Sequence, residues 1–290
     1  MNRKPPFPFT ISRPPRYVLS VAAICLLALP TVQASPWSKV KAPASGPSNA
    51  IGGAANGCIA GAATLPSQGE GYVSIRRHRN RYYGHPETVR LVKDLGGALS
   101  KRTDDLVMVG DLSQPRGGLM SSSHRSHQNG LDVDIWFGQA TSARAADREH
   151  PEERDPRSMV APGGLDLGDA WGAHQRFLLK TAAEDRRVDR IFVNPAIKRA
   201  LCMSENGDRK WLRKLRAWWG HDAHFHVRLK CPKGSPNCKQ QTPIPADDGC
   251  GKELAWWFSE EARSPSKKTS KKPKPRPPMP AACKALLAGS

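Results

Sequence analysis

Five of the nine histidines in this chain fall in two short stretches. One is His124-Arg125-Ser126-His127-Gln128-Asn129-Gly130-Leu131-Asp132-Val133-Asp134-Ile135-Trp136-Phe137; the other is His221-Asp222-Ala223-His224-Phe225-His226. Imidazole and carboxylate together are the donor set of a catalytic zinc site, which takes three protein ligands and keeps a fourth position for water. From Leu131 to Phe137 apolar and acidic residues alternate with period two. A strand here turns Asp132 and Asp134 to one face and the large apolar side chains to the other. In His224-Phe225-His226-Val227-Arg228-Leu229 the same period sets two imidazoles side by side, with Phe225 facing away. His127, Asp134 and His226 would supply two neutral imidazoles and one carboxylate, which leaves a zinc ion net positive charge with which to polarise a carbonyl. His224 would stand beside the ion as a base or a transition-state donor. Asp132 competes with Asp134 for the ligand role, and the alternation does not separate them. A lone histidine of this kind is more often structural; five in two strand-linked clusters reverse that expectation.

The elements that position these residues can be read in part. After Asn80-Arg81-Tyr82-Tyr83-Gly84-His85-Pro86, the spacing of Val89, Val92, Leu95 and Leu99 predicts a helix with Pro86 near its first turn. A strand is expected at Leu106 to Leu112. Arg116-Gly117-Gly118 to Ser123 is a loop without the G-x-x-x-x-G-K-[ST] phosphate cradle. Thr141 to Arg157 reads as a charged surface loop, and Trp171 to Arg187 as an amphipathic helix through Trp171, His174, Phe177, Leu178 and Ala182. Ile191-Phe192-Val193 is a short buried strand stopped at Asn194-Pro195, and Asp208 to Trp219 reads as a basic, tryptophan-rich helix leading into the second cluster. Strands and helices mix without regular βαβ alternation, so the fold class expected is α+β, a largely antiparallel sheet with helices and long disulfide-tied loops around a single zinc site.

Composition limits what such a site could serve. Residues 1–34 lack Asp and Glu, carry Arg3, Lys4, Arg13 and Arg16, and run apolar from Tyr17 to Leu29 before Val32-Gln33-Ala34. This is the pattern of a cleaved secretory signal; the apolar run is short of the ~20 residues that span a bilayer, and stable membrane insertion is not expected. Ile24 before Cys25 argues against a lipid anchor. Six cysteines remain beyond it, an even number that points to three disulfides in an oxidising compartment. No Cys-x-x-Cys occurs. Spacing alone pairs Cys231 with Cys238. The net charge is +19; four basic residues belong to the leader, and eight more, with no acidic residue, lie from Arg263 onward. That Pro/Lys-rich tail has nothing to build a core with and could attach electrostatically to an anionic polymer. Export and disulfides direct it to the cell wall or an anionic membrane surface and away from nucleic acid.

The motifs together resemble a known family. His127 with Asp134 seven positions on, and His224-x-His226 far downstream, are similar to the zinc peptidases of the lysostaphin-type and D-Ala-D-Ala-metallopeptidase superfamily. Within it the chain resembles the penicillin-insensitive murein endopeptidases, over roughly Ile51 to Leu287. Asn80 to Pro86, Ser126-His127-Gln128-x-Gly130-Leu131-Asp132-Val133-Asp134, Arg190 to Lys198, and His224-x-His226-Val227-Arg228-Leu229-x-Cys231-Pro232 carry the likeness. The resemblance implies zinc held by His127, Asp134 and His226, Asp134 rather than Asp132 as the carboxylate, and His224 and His221 as catalytic residues around the metal. It implies the disulfides Cys58–Cys283, Cys202–Cys250 and Cys231–Cys238. It further implies hydrolysis of D-alanyl to meso-diaminopimelyl cross-links in periplasmic peptidoglycan, with a homodimer left open. The organisation expected is a signal over 1–34, a flexible arm over 35–57, a zinc peptidase domain over 58–262 and a basic tail over 263–290 tied back by Cys283. One departure stands out. Some members hold a second metal with the position of His124 and an Asp-Gly-x-His turn, where this chain reads Val160-Ala161-Pro162-Gly163-Gly164-Leu165. His124 is then a second-metal ligand only if other partners are found; Asp147 and His150 are three apart but lie elsewhere in the chain.

A serine enzyme of the kind that β-lactams acylate is not supported at residue level. Its Ser-x-x-Lys signature occurs only as Ser38 to Lys41 and Ser264 to Lys267, in the flanks, and Lys-Thr-Gly is missing. Penicillin should find no nucleophile to acylate. Two other functions share the ligand set: a D,D- or L,D-carboxypeptidase, which needs a cationic pocket for a free carboxylate, and a wall-binding module whose zinc is closed by a fourth protein ligand.

Overall fold

The computed structural model describes residues 35–122, 124–149, 156–264 and 275–289; the expected leader, His150 and residues 265–274 of the basic tail lie outside the described residues. Both histidine clusters sit on one seven-stranded sheet. Its strands run, edge to edge, Leu215–Ala217, Val188–Val193, His224–Leu229, Asp132–Ala140, Leu106–Val109, Tyr72–Ser74 and Gln68–Gly69. Leu215–Ala217 pairs parallel with Val188–Val193, and Tyr72–Ser74 parallel with Leu106–Val109; the other pairings are antiparallel. The architecture is α+β with an antiparallel-rich sheet and three disulfides, Cys58–Cys283, Cys202–Cys250 and Cys231–Cys238. No helix among the described residues is long and apolar enough to cross a membrane.

One face of the sheet is the core. Val133, Ile135, Phe137, Ile191, Val193, Phe225 and Val227 are fully buried there with the apolar sides of helices Pro86–Ser100, Ala173–Glu184 and Pro195–Ser204. The first of these helices carries Val89, Val92, Leu95 and Leu99 inward as its spacing requires, and His85 caps it by accepting from the Glu87 amide. Asn194 caps the third in the same way, through the Ala196 amide, with Pro195 at its first position.

Four local expectations give way to tertiary context. Trp136 is a large apolar side chain on the acidic face of its strand; it packs with Val73, Ile75, Met108 and Ala146. Ala146 belongs to helix Ala143–Glu149, inside the segment expected to be a loop. Its buried residues are the small Ala145 and Ala146, too weakly apolar to announce a face. The segment 208–219 is a 3-10 turn, Lys210–Lys214, followed by strand Leu215–Ala217, because the sheet edge at Ile191–Val193 offers it hydrogen bonds that outweigh helix propensity. The helix expected from Trp171 spans Ala173–Glu184; Trp171 precedes it and meets Phe137 edge-on at 5.4 Å, while His174 is exposed and pairs with Gln139.

A fifth difference bears on function. The arm expected over 35–57 contains a buried Trp37 and one strand of the hairpin Asn49–Gly53 with Asn56–Ala60, so the boundary drawn at 57 falls inside a hairpin. Trp37, Ile51, Cys58 and Cys283 form a separate small core. Through the Cys58–Cys283 disulfide the hairpin is tied to helix Ala281–Ala288 at the far end of the chain.

Candidate metal centre

The second face of the sheet, opposite the core, holds the polar residues in register. On the paired strands His226 stands opposite Asp134, Arg228 opposite Asp132 and His224 opposite Trp136, and Phe192 stands opposite His226 on its other side. Residues paired across strands share a face. The pairing therefore gathers two carboxylates, two imidazoles, a guanidinium and the aromatic side chains of Trp136 and Phe192 on it.

His127 arrives from a loop, and several contacts fix that loop. Its backbone is left-handed, φ 63°, a conformation that costs a non-glycine residue strain unless the surroundings impose it. Asp132 Oδ2 accepts its N–H at 2.7 Å. The next residue is gripped by the hairpin: the Gln128 N–H donates to Ala54 O at 3.0 Å, its side-chain amide donates to Ala55 O at 2.9 Å and its Oε1 accepts from the Gly57 N–H. Gly130 carries φ 76° where an added Cβ would stand 2.5 Å from Ile59 Cδ1, and its carbonyl accepts from His85 N–H and Thr88 Oγ1. The N-terminal hairpin and the helix cap at His85 are thus parts of the support beneath His127.

Three donor atoms converge. His127 Nε2 lies 3.4 Å from Asp134 Oδ1, His226 Nδ1 lies 3.2 Å from the same oxygen, and the two nitrogens are 3.2 Å apart. Ligands about 2.0–2.1 Å from a tetrahedral ion are about 3.4 Å from one another. Each imidazole has its remote nitrogen engaged by an acceptor. His127 Nδ1 donates to Leu112 O at 2.7 Å, and His226 Nε2 lies 3.2 Å from Asp132 Oδ1, so in the neutral form of each ring, the form a metal ion binds, the facing nitrogen presents a lone pair. Asp134 Oδ1 is buried and without a hydrogen-bond partner. Burying a carboxylate oxygen unsatisfied is costly, and a cation at the meeting point removes that cost.

His124 joins the group from its rim. His124, His127 and Asp134 form a cluster that could hold a metal ion, the donors lying within 4.8 Å of one another. His124 Nε2 is 3.5 Å from Asp134 Oδ2 but 2.9 Å from Asp111 Oδ2, which Arg81 also contacts at 2.9 Å. Asp111 went unnoticed in the sequence; it is a single acid after an apolar strand, and only the arrival of His124 and Arg81 marks it out. Arg228, likewise unremarked as a support, donates to both oxygens of Asp132, at 2.6 and 3.2 Å.

The electrostatics divide the histidines. Burial works to raise the carboxyls of Asp132 and Asp134, yet the guanidinium and imidazoles around them hold both well below the usual range. Asp111, buried but bonded to His124 and Arg81, is held at about 2. Burial would lower His226, but the two carboxylates beside it raise it to about 9. His127 and His224 are lowered, chiefly by burial, and His221 is pushed down to about 4 by burial and its imidazole neighbours. His224 Nε2 stands 3.9 Å from Asp134 Oδ1 and its ring 5.1 Å from that of His221. His221 lies in the turn before the strand, φ 52°, its Nδ1 donating to Trp219 O at 3.0 Å. Phe192 meets the His226 ring edge-on at 5.4 Å and walls the site; only its place in a strand beside the second cluster could have suggested it.

Comparison with known proteins identifies relatives along almost the whole chain. The family model described as penicillin-insensitive murein endopeptidase matches residues 50–288. A protein of that name from Klebsiella pneumoniae (strain 342) is 41% identical over 268 residues, covering 92% of this chain and 96% of the relative. Its namesake in Yersinia enterocolitica is 42% identical over 266 residues, 91% of this chain and 94% of the relative. That of Escherichia coli O157:H7 is 42% identical over 282 residues, with 93% and 98% covered. With its paired carboxylate and imidazole strands and a match along nearly its whole domain, the chain belongs to the penicillin-insensitive murein endopeptidase family.

Proposed function

We propose that this protein hydrolyses D-alanyl to meso-diaminopimelyl cross-links of peptidoglycan in the periplasm, with zinc held by His127, Asp134 and His226. The observation that carries the reading is the convergence of three donor atoms 3.2–3.4 Å apart, one of them the buried, unpartnered Oδ1 of Asp134. Zinc bound there would supply Lewis-acid chemistry, polarising the scissile carbonyl and making a water acidic near neutral pH. His124 competes for the third ligand position, but its nitrogen is already engaged by Asp111, which favours His226.

The chain's own groups supply the remaining functions. His224 is kept below its usual range by burial, hence neutral at pH 7, and its Nε2 faces the centre. A neutral imidazole in that place can take a proton from the attacking water and return it to the departing amine. His221 spends its Nδ1 proton on Trp219 O, so its Nε2 presents a lone pair; it fits a positioning residue that orients His224 better than a donor to an oxyanion. Asp132, fully buried, holds His226, the His127 amide and Arg228 together and orients the His226 ring, while Leu112 O does the same for His127. None of these groups is a serine nucleophile that a β-lactam could acylate.

Purified sacculi digested with and without a chelator test the reading, with products identified by mass. Cross-linked dimers should fall to monomers, the chelator should stop this and zinc should restore it. Release of free D-alanine from intact dimers would make the enzyme a carboxypeptidase instead.

A further inference from the structure

The most open aromatic surface of the domain adjoins the metal centre. Trp218, Trp219 and Trp256 are 54%, 48% and 46% exposed. Half-exposed indoles forgo much of the stabilisation of burial, and a group of them marks a binding surface. The rings form a track. Phe192, at His226, lies 5.8 Å from Trp218; Trp218 lies 6.1 Å from Trp257; Trp257 meets Trp219 at 5.1 Å and Trp256 at 5.3 Å. Alongside runs a groove of about 320 Å³ lined by Gly163, Gly164, Trp219, Trp257, Phe258 and Ser264 among others.

The groove is held in shape. The Arg199 guanidinium stacks on Phe258 at 4.1 Å, donates to Leu165 O and pairs with Asp166 at 2.9 Å, so one side chain locks wall to floor. Gly163 and Gly164 have φ of 96° and 74°, and a Cβ at either would meet nothing within 4 Å. Bare backbone therefore faces the space. This is the segment that lacks the aspartate and histidine of an Asp-Gly-x-His turn.

We infer that the aromatic track and groove are a glycan subsite, taking an N-acetylhexosamine residue of the strand whose cross-link lies at the metal centre. The choice of this sugar rests on the cross-link reading above. A pyranose has an apolar C–H face and a hydroxyl edge: the face stacks on indole, the edge reaches water, Ser264 and the backbone of 163–164. A stem peptide is charged and offers no such flat face. A second copy of the chain fits less well, since three half-open indoles expose roughly 400 Å², about half of the ~800 Å² a side that a stable interface buries.

Titration of the full-length protein with the peptide-free tetramer of N-acetylglucosamine, followed by tryptophan fluorescence, should give saturable quenching. Trp219→Ala and Trp256→Ala should each weaken it about tenfold. In parallel, kcat/KM is compared for a cross-linked disaccharide-peptide dimer and for the same cross-linked peptide without sugars. The wild type should prefer the first, and each variant should cut that preference about tenfold, through KM. Trp256 is three rings removed from Phe192, so its effect does not report a disturbed reaction centre. Absence of saturable quenching, or equal losses on both substrates, overturns the inference. Wild-type dimers in sedimentation that dissociate in both variants would give the rings to a second copy and overturn it too. A wild type that binds the tetramer yet cleaves neither substrate supports the glycan subsite while defeating the cross-link reading.

Discussion

His226 and His224 face the same side of one strand, two residues apart, in opposite surroundings. His226 is engaged at both nitrogens, by Asp132 on one side and by Asp134 and His127 on the other, with its side chain 6% exposed. His224 keeps 28% of its side chain open and reaches Asp134 only at 3.9 Å, too long for a hydrogen bond. The contrast extends to whole regions. The inner wall of the centre is over-determined: Leu112 O and Asp132 fix the two imidazoles, Arg228 fixes Asp132, and the hairpin tied by Cys58–Cys283 fixes the His127 loop. The outer lip, His221, His224, Phe192 and the tryptophans, is held mainly by ring contacts and left open. Holding an ion needs donors that cannot relax away, whereas accepting a substrate and moving its protons needs groups with a free atom.

Substitutions on the two sides should therefore fail differently. The largest effect is expected for His226→Ala, which removes a donor from the wall: metal content should drop and turnover of sacculi fall at least ~1,000-fold, as read by elemental analysis beside product release. Full metal and activity in that protein would break the division. On the lip, His224→Ala should keep its metal and lose at least ~100-fold in rate, with His221→Ala impaired less. Loss of metal from His224→Ala would move that residue into the wall and favour a closed, structural site. Asp132→Asn probes the layer behind the proposed ligands. Its metal affinity, measured by competition with a chelator, should weaken about 10- to 100-fold, and unaltered affinity would show that the orientation of His226 does not depend on the carboxylate.

The smallest effect sharpens the comparison by showing burial without carboxylate ligands. Lys198 is 1% exposed and donates to the carbonyls of Leu212 and Asp248. Burial lowers its ammonium from 10.5 to about 7, whereas His226, buried between carboxylates, is raised. Between pH 7 and 10 the unfolded chain then binds more protons than the folded one, so this residue makes stability rise with pH by up to about 1.4 kcal/mol per unit. Unfolding of wild type and Lys198→Met at pH 7 and pH 9 should show the wild type gaining on the variant at the higher pH. A constant difference would mean that Lys198 stays charged in the fold.

Much of this was legible one stretch at a time. Period-two alternation from Leu131 to Phe137 and from His224 to Leu229 makes strands, and the spacing of Val89, Val92, Leu95 and Leu99 makes a helix, because each pattern is a local property of the chain. The strand Leu215–Ala217 and the hairpin strand Asn49–Gly53 were hidden for the converse reason: short and weakly patterned, they are extended because of what they pair with. Sequence by itself therefore determined the donor types, the strands that carry them and the cysteines available for pairing. Tertiary structure alone decided which donors meet. Asp132 and Asp134 are equivalent in the alternating pattern, and only the register with a strand some ninety residues away sets Asp134 opposite His226 and Asp132 opposite Arg228. Register depends on every pairing along both strands at once, so one carboxylate is left with a bare oxygen among imidazoles and the other with a guanidinium.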